Sequence, residues 1–225
     1  MNPSSQVFQN LLQTLNNAAS RANRPPARLL AVSKTQAADA VAALAALGQR
    51  AFGENYVQEA MAKAQALSGR HLEWHLIGHL QSNKCREAAA VFDWVQTIDR
   101  IKLVEPLARF RGNERAPLNV LIQVNADNEA GKAGCAPEQI DALAAAISAC
   151  RNLSLRGLMA IPEPNPDFGH RRATFRQLRQ LFDALAARHP GIDTLSMGMS
   201  EDYLLAVEEG ATMVRVGSAL FGPRP

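Results

Sequence analysis

The sequence predicts a closed (β/α)8 barrel, an α/β fold of the TIM type, with one extra helix at its N-terminus. Short apolar strands alternate with helices along the chain, an order typical of a parallel sheet. Eight such units fit within the 225 residues, a common length for one barrel. An open doubly wound sheet is the alternative, but no Gly-rich GxGxxG turn follows the first strand. We therefore expect residues 1–225 to form a single domain.

The order of elements supports this prediction. The extra helix covers residues 4–22 and stops before Pro25-Pro26, because proline cannot donate the amide hydrogen that a helix needs. Strands are predicted at residues 28–33, 51–53, 73–77, 94–97, 119–124, 155–159, 194–197 and 212–216. Helices are predicted at residues 38–47, 55–67, 82–91, from 99 onward, 137–150, 171–188 and 200–209.

Composition and charge exclude several classes of protein. Hydrophobic residues make up 47% and charged residues 20%, a globular balance rather than a disordered one. The net charge of +3 is spread along the chain and gives little support to a nucleic-acid partner. We see no secretory signal, no apolar run of the ~20 residues that cross a bilayer, and no CxxC pair among Cys85, Cys135 and Cys150. We expect a cytoplasmic protein with reduced thiols and no membrane or nucleic-acid partner.

Lys34 follows the first strand, and closure of the barrel would bring it next to strand eight. In such barrels functional residues lie at the C-terminal strand ends, and phosphates often bind after strands seven and eight. Arg215 lies near the end of strand eight, before Gly217 and Ser218, and Ser200 follows strand seven. An amine, a cation and backbone N–H groups suited to a phosphate are thus expected at one mouth. This convergence predicts a phosphate-bearing carbonyl ligand.

Each of these residues also has a purely structural interpretation. Lys34 could be a solvated lysine at a strand end, although desolvation and a nearby Arg215 would lower its pKa and favour the nucleophilic neutral amine. Ser200 could merely cap a helix, and Gly217 could merely serve a turn. Arg215 could be the partner of a structural carboxylate.

Two other groups of side chains favour structural roles. His75 and His79 could share one strand face, but a zinc site would need a third ligand that the sequence does not offer. We therefore interpret both as packing residues or as residues at the barrel mouth. The arginines between residues 171 and 179 are interpreted as the solvated face of a helix.

Six separated segments carry a more specific pattern. They are LAVSKT (30–35), FGENYVQE (52–59), WHLIGHLQSNK (74–84), GLMAI (157–161), LSMGMSEDY (195–203) and VRVGSALFG (214–222). Together, and in this order, they resemble the pyridoxal phosphate homeostasis proteins over nearly the whole chain. That family is similar to the barrel domain of alanine racemase without its second β-domain. The chain ends eight residues after Gly217, so we expect that second domain to be missing here as well.

The resemblance implies pyridoxal 5′-phosphate (PLP) as the cofactor, held as a Schiff base on Lys34. It implies that Arg215 faces the pyridine nitrogen. It also implies that Ser200 holds the phosphate, together with the backbone of Gly217 and Ser218.

Three further residues are assigned by the same resemblance. Asn55 and Met197 are expected to line the cofactor ring, and His75 is expected at the mouth of the site. No catalytic residue and no metal ligand is assigned.

The expected function is that of a carrier. An arginine at the pyridine nitrogen disfavours its protonation and so weakens the ring as an electron sink. We therefore expect a monomer that binds PLP and passes it to apo-enzymes in intracellular PLP homeostasis, without turnover. The alternative is a racemase-like enzyme for a small amino acid, with Tyr56 or His75 as its acid or base. A third class, a Schiff-base aldolase without PLP, predicts a colourless protein.

Overall fold

The computed structural model describes residues 3–126, 133–163 and 165–222. Within them, eight parallel strands follow one another in sequence order around one closed barrel. The strands are β1 (Arg28–Val32), β2 (Ala51–Glu54), β3 (Glu73–Leu76), β4 (Trp94–Ile98), β5 (Leu118–Val124), β6 (Leu153–Ala160), β7 (Thr194–Ser196) and β8 (Met213–Val216). The predicted (β/α)8 barrel is confirmed.

Pairing between the first and last strands closes the barrel. β1 and β8 run in register from Arg28 opposite Met213 to Ala31 opposite Val216. This pairing excludes the open doubly wound sheet, in which the first and last strands would not meet around a cylinder. It also brings the segment after β1 next to the segment after β8.

The helices surround the barrel. They are α1 (Pro3–Arg21), α2 (Ala38–Ala46), α3 (Val57–Ala66), α4 (Cys85–Val91), α5 (Val104–Arg111), α6 (Ile140–Ser148), α7 (Phe168–Ala186), α8 (Tyr203–Glu208) and α9 (Ser218–Phe221). The extra helix α1 packs against α8 and α9, so it covers the outside of the closing strands. Among the described residues, no helix combines the length and apolarity that spanning a membrane requires.

Side chains of each strand alternate between the barrel interior and the layer beneath the helices. Val214 and Val216 belong to the large apolar cluster that includes the helix residues. Met213 belongs instead to a separate cluster with Leu30, inside the barrel. Because Arg215 has the same parity as Met213, its side chain points into the barrel.

Two of the helices that begin later than the sequence predicts leave candidate site residues in loops. α3 begins at Val57 rather than at residue 55. α8 begins at Tyr203 rather than at residue 200, because the N–H groups of Asp202 and Tyr203 both donate to the Met199 carbonyl and form a tight turn first. Ser200 lies in this turn, so it is not the cap of α8.

Candidate cofactor site

A cavity of about 630 Å³ opens at the C-terminal ends of the strands, within the range of ~300–1,000 Å³ usual for small-molecule sites. Segments that follow β1, β2, β3, β6, β7 and β8 contribute to its lining. Six of the eight predicted site residues line it: Lys34, Asn55, Ser200, Arg215, Gly217 and Ser218. The closed barrel therefore brings together residues that are up to 184 positions apart in the chain.

Met197 is not among the lining residues. Its side chain is fully buried in the apolar cluster between barrel and helices. The reason is strand parity: Ser196 points into the barrel, where its hydroxyl contacts Gln96, so its neighbour Met197 points outward. Met199, two residues further, lines the cavity instead.

His75 also lies outside the lining, deep inside the barrel. Its ring is fully buried and stacks on Trp94 with 5.1 Å between ring centroids. Its Nε2 contacts the Glu73 carboxylate, and its Nδ1 lies 2.9 Å from Gln96 Nε2. Burial lowers the pKa of His75 in spite of Glu73. The His75 ring is therefore not at the mouth, where it was expected. The His79 side chain, by contrast, is exposed.

Lys34 is held in place through its two neighbours. The Ser33 hydroxyl donates to Glu54 Oε1 at 2.5 Å, and the Thr35 N–H donates to Glu59 Oε1 at 2.6 Å. Thr35 adopts a φ of 64°, a value that a β-branched residue rarely adopts without outside support. Its hydrogen bond to Glu59 supplies such support.

The two carboxylates that hold this segment share one cation, Lys63. Its Nζ lies 2.8 Å from Glu54 Oε1 and 2.7 Å from Glu59 Oε1. The Lys63 side chain is only 7% exposed, and the Glu54 side chain is fully buried. Burial raises the pKa of Glu54, although Lys63 and Ser33 oppose this. The sequence-based interpretation missed Lys63, because a helical lysine resembles a solvated one; its place four residues after Glu59 was the available signal.

Asn55 is fixed by a close approach of two backbone segments. A Cβ atom at position 78 would lie 2.1 Å from the Asn55 carbonyl oxygen, so only glycine fits there. The Gly78 carbonyl in turn accepts a hydrogen bond from Thr97 Oγ1 at 2.9 Å. The loops after β2 and β3 are thereby packed against each other and against strand β4.

The segments after β7 and β8 meet at Ser200 and Gly217. The Gly217 N–H lies 3.4 Å from Ser200 Oγ, a long hydrogen bond between two groups that both line the cavity. A hydroxyl and neighbouring backbone N–H groups can together bind phosphate oxygens. This corner of the cavity therefore suits a phosphate.

The Arg215 guanidinium is buried in the floor of the cavity. Its Nη1 donates to the Ser196 carbonyl at 2.8 Å and to Ser196 Oγ at 2.9 Å, and its Nη2 donates to the Ala160 carbonyl at 2.7 Å. Burial lowers the pKa of Arg215 to about 10, an effect that Asp202 partly offsets. The group therefore stays charged at neutral pH, although its hydrogen-bond acceptors are all neutral.

Arg171 is a cavity residue that the sequence-based interpretation assigned to a solvated helix face. It lines the cavity, and its Nε is buried without a hydrogen-bond partner among the described residues. The next arginines of α7 differ: Arg172 and Arg176 both pair with Glu209 at 2.9 Å. The solvated-face interpretation is therefore wrong for Arg171, whose side chain lies at the cavity near the start of α7.

The three thiols lie outside this cavity lining. All three are free, and Cys85 and Cys135 are buried. Burial raises the pKa of Cys135 to about 11, so its thiol stays protonated at neutral pH. The cavity offers the amine of Lys34 as a nucleophile, together with the side chains of Arg171 and Arg215 and with the hydroxyl and backbone N–H groups near Ser200 and Gly217. This donor set fits an anionic aldehyde such as PLP.

Comparison with known proteins defines the class of the fold and site. The sequence model of the family described as "Alanine racemase, N-terminal domain" matches residues 8–225. Among solved structures, alanine racemase of Corynebacterium glutamicum superposes with a TM-score of 0.72 at 18% identity, covering 98% of this chain and 61% of that one. At that identity the likeness concerns the fold alone.

More similar proteins identify the particular family. The chain is 51% identical to the Pyridoxal phosphate homeostasis protein of Pseudomonas aeruginosa over 212 residues, covering 93% of this chain and 91% of that protein. It is 47% identical to the protein of the same name from Escherichia coli K12, covering 97% of both. The structure of PipY from Synechococcus elongatus with PLP bound has a TM-score of 0.81 at 40% identity, covering 93% of this chain and 99% of that one. The chain belongs to the pyridoxal phosphate homeostasis protein family.

Proposed function

We propose that this protein binds PLP as a Schiff base on Lys34 and serves in cytoplasmic PLP homeostasis as a carrier, without catalytic turnover. The names of its relatives and the PLP-bound PipY structure support the cofactor. The cavity supports it independently, since it combines one lysine amine with a hydroxyl, backbone N–H groups and a buried guanidinium.

The proposed roles follow from the chemistry of each group. The neutral amine of Lys34 attacks the aldehyde carbon, and water leaves as the C=N bond forms. Ser200, with the N–H groups of Gly217 and Ser218, binds the phosphate, and Arg215 faces the ring nitrogen. Asn55 contacts the ring from the loop after β2. Met197 and His75 make no direct ring contact in this proposal, because neither side chain is part of the cavity lining.

The buried charge of Arg215 is the observation that carries the proposal of a carrier. PLP supplies an electron-withdrawing ring, which is most effective when its nitrogen is protonated. A guanidinium that stays charged next to this nitrogen opposes protonation, since two cations would then face each other. The same residue that retains the cofactor therefore suppresses its reactivity.

The racemase-like alternative needs an acid or base above the ring. His75 is unsuited, because Glu73 and Gln96 occupy both of its ring nitrogens. Tyr56 is 65% exposed and does not line the cavity. Neither of the two residues that the alternative relies on is supported by its position.

We further propose that a monomer delivers PLP by direct contact with apo-enzymes. Several large exposed hydrophobic side chains lie on segments that follow strands at the mouth end of the barrel: Tyr56, Ile101, Ile161, Phe168 and Leu204. Their exposure at this end of the barrel is the observation that favours direct contact. Light scattering of the purified protein tests whether it is a monomer. Comparing PLP transfer across a dialysis membrane with transfer in free solution tests whether delivery needs direct contact.

One experiment separates carrier, enzyme and aldolase. Purified wild type and Lys34→Ala are incubated with a panel of amino acids, and the visible spectrum is recorded before and after borohydride. A carrier is yellow and shows no turnover, and borohydride reduction leaves the cofactor covalently attached to Lys34. Turnover that Lys34→Ala abolishes would contradict the carrier, a label on Lys84 would contradict the assigned lysine, and a colourless wild type would favour an aldolase without PLP.

A further inference from the structure

A chain of buried polar side chains continues from Arg215 into the interior of the barrel. Ser196 Oγ, which accepts a hydrogen bond from Arg215, lies 2.7 Å from Gln96 Oε1. Gln96 Nε2 lies 2.9 Å from His75 Nδ1, and His75 Nε2 contacts Glu73. Gln96, His75 and Ser196 are fully buried, next to the apolar side chains of Trp94 and Met213.

The chemistry of Glu73 determines the direction of every hydrogen bond in this chain. Although burial alone would raise its pKa, hydrogen bonds and charges from His75 and Arg28 lower the pKa of Glu73 to about 2. Glu73 is therefore an ionised acceptor, and His75 must donate to it through Nε2–H. A neutral imidazole with its hydrogen on Nε2 accepts at Nδ1.

The remaining orientations follow in order. Gln96 must turn its amide NH₂ toward His75, so its Oε1 faces Ser196. The Ser196 hydroxyl must then donate to Gln96, which leaves its lone pairs for Arg215. Reversal at any one link would leave two donors or two acceptors facing each other in a buried site, at a cost comparable to a lost hydrogen bond.

Among the described residues, the Ser196 hydroxyl is the only side-chain group that accepts a hydrogen bond from Arg215. Its other acceptors are the backbone carbonyls of Ser196 and Ala160. The orientation of the guanidinium around these carbonyls therefore depends on Ser196 Oγ, and that of Ser196 depends on Gln96 and His75.

We propose that His75, Gln96 and Ser196 are positioning residues that hold the Arg215 guanidinium in the orientation in which it meets the ring of PLP. This inference rests on the proposed role of Arg215 in cofactor binding. It gives His75 a function that acts from within the barrel, through two intermediates, rather than at the mouth.

The test measures the dissociation constant of PLP and the visible spectrum for matched variants. Gln96→Leu and Ser196→Ala should each weaken PLP binding about tenfold, the loss of about one good hydrogen bond. His75→Asn retains an acceptor near the position of Nδ1 and should stay within about threefold of wild type, whereas His75→Leu should resemble Gln96→Leu. Urea unfolding of each variant checks that it is folded. If Gln96→Leu does not fold, Ser196→Ala, which deletes only one oxygen, still tests the proposal.

Two controls distinguish positioning from a general effect on the barrel. Met213→Leu removes the thioether that Gln96 Nε2 also contacts at 3.2 Å. It leaves the hydrogen bonds from His75 to Arg215 intact, so the dissociation constant of PLP should change less than about twofold. In an Arg215→Lys background, Gln96→Leu should add less than about twofold, because its effect passes through Arg215. Full PLP affinity in folded Gln96→Leu and Ser196→Ala, or an undiminished loss in the Arg215→Lys background, would overturn the proposal.

Failure of the proposed function is distinguishable from failure of this inference. If wild type bound no PLP, the carrier would be refuted, and the chain would be tested without cofactor by ¹⁵N NMR of the His75 ring. In that spectrum, the Nδ1 resonance should have the chemical shift of an unprotonated nitrogen, and this shift should change in the Ser196→Ala variant. A protonated Nδ1, or one that ignores Ser196→Ala, would overturn the inference on its own.

Discussion

Lys63 Nζ donates to the carbonyl oxygen of Ser33 at 2.6 Å, and through this bond helix α3 holds the backbone immediately before Lys34. The same ammonium group neutralises Glu54 and Glu59, which bind the residues on either side of Lys34. The proposed cofactor lysine is thus positioned by a second, buried lysine that does not itself line the cavity.

Replacing Lys63 with methionine should destabilise the protein strongly. The buried Glu54 carboxylate would lose its cation, and breaking a buried pair in this way typically costs ~3–5 kcal/mol. We expect that loss in urea unfolding, together with slower PLP loading at Lys34. Lys84→Met is the matched control, because Lys84 pairs with Glu87 at a distance of 3.5 Å in a half-exposed place, where ion pairs contribute little. Equal stability of the two variants would refute the role of Lys63.

Replacing Ser200 with alanine should weaken PLP retention far more than stability. A hydrogen bond to a charged group contributes ~1.5–3 kcal/mol, so the dissociation constant should rise roughly tenfold to a hundredfold. Equilibrium dialysis followed by absorbance measures this change. Ser68→Ala, at an exposed turn, should leave retention unchanged, and wild-type retention in Ser200→Ala would argue against the phosphate site.

Replacing two adjacent arginines of α7 should affect two different properties, PLP affinity for Arg171 and stability for Arg172. Arg171→Gln removes a cavity cation and should weaken binding of anionic PLP by about fivefold, or ~1 kcal/mol, the Coulomb energy of two charges in a partly solvated place. Arg172→Gln breaks ion pairs with Glu208 and Glu209 and should slightly lower the unfolding midpoint without changing PLP affinity. The reverse pattern in a PLP titration would exclude Arg171 from the cofactor site.

Stability should fall in two stages as the pH is lowered. Because burial lowers the pKa of His75 below its ordinary 6.5, the unfolded chain binds a proton below about pH 6.5 that the folded chain refuses. Because the pKa of Glu73 is lowered from 4.5 to about 2, its contribution is present above pH 4.5 and is lost between there and about pH 2.

Urea unfolding between pH 8 and pH 2 measures both stages, with two variants as controls. His75→Asn should flatten the stage that begins near pH 6.5, and Glu73→Gln should flatten the more acidic one. Unchanged slopes in both variants would show that the His75–Glu73 pair does not couple folding to protons.

Much of the site was predictable because it follows from topology. A closed barrel of eight parallel strands must join β1 to β8, so Lys34 and Arg215 had to meet near one mouth. The turn that holds Ser200 also follows a strand end. These placements need only the number and order of the strands, which apolar periodicity in the sequence reveals.

The positions of Met197 and His75 illustrate what periodicity leaves open. One residue of difference in strand parity decides whether a side chain faces the cavity or the helices, and β7 ends at Ser196, so parity turns Met197 outward. His75 points into the barrel, but its depth there depends on how the strands are staggered around the cylinder. No local pattern of residues states that stagger.

The sequence by itself determined the barrel and the placement of Lys34 with five other predicted residues at one cavity, because strand order and apolar spacing are local properties of the chain. Only the tertiary structure decided which buried polar groups pair with one another. Ser196 and Gln96 are 100 residues apart, and their hydrogen bond exists because strand register brings one oxygen against another in the buried interior of the barrel.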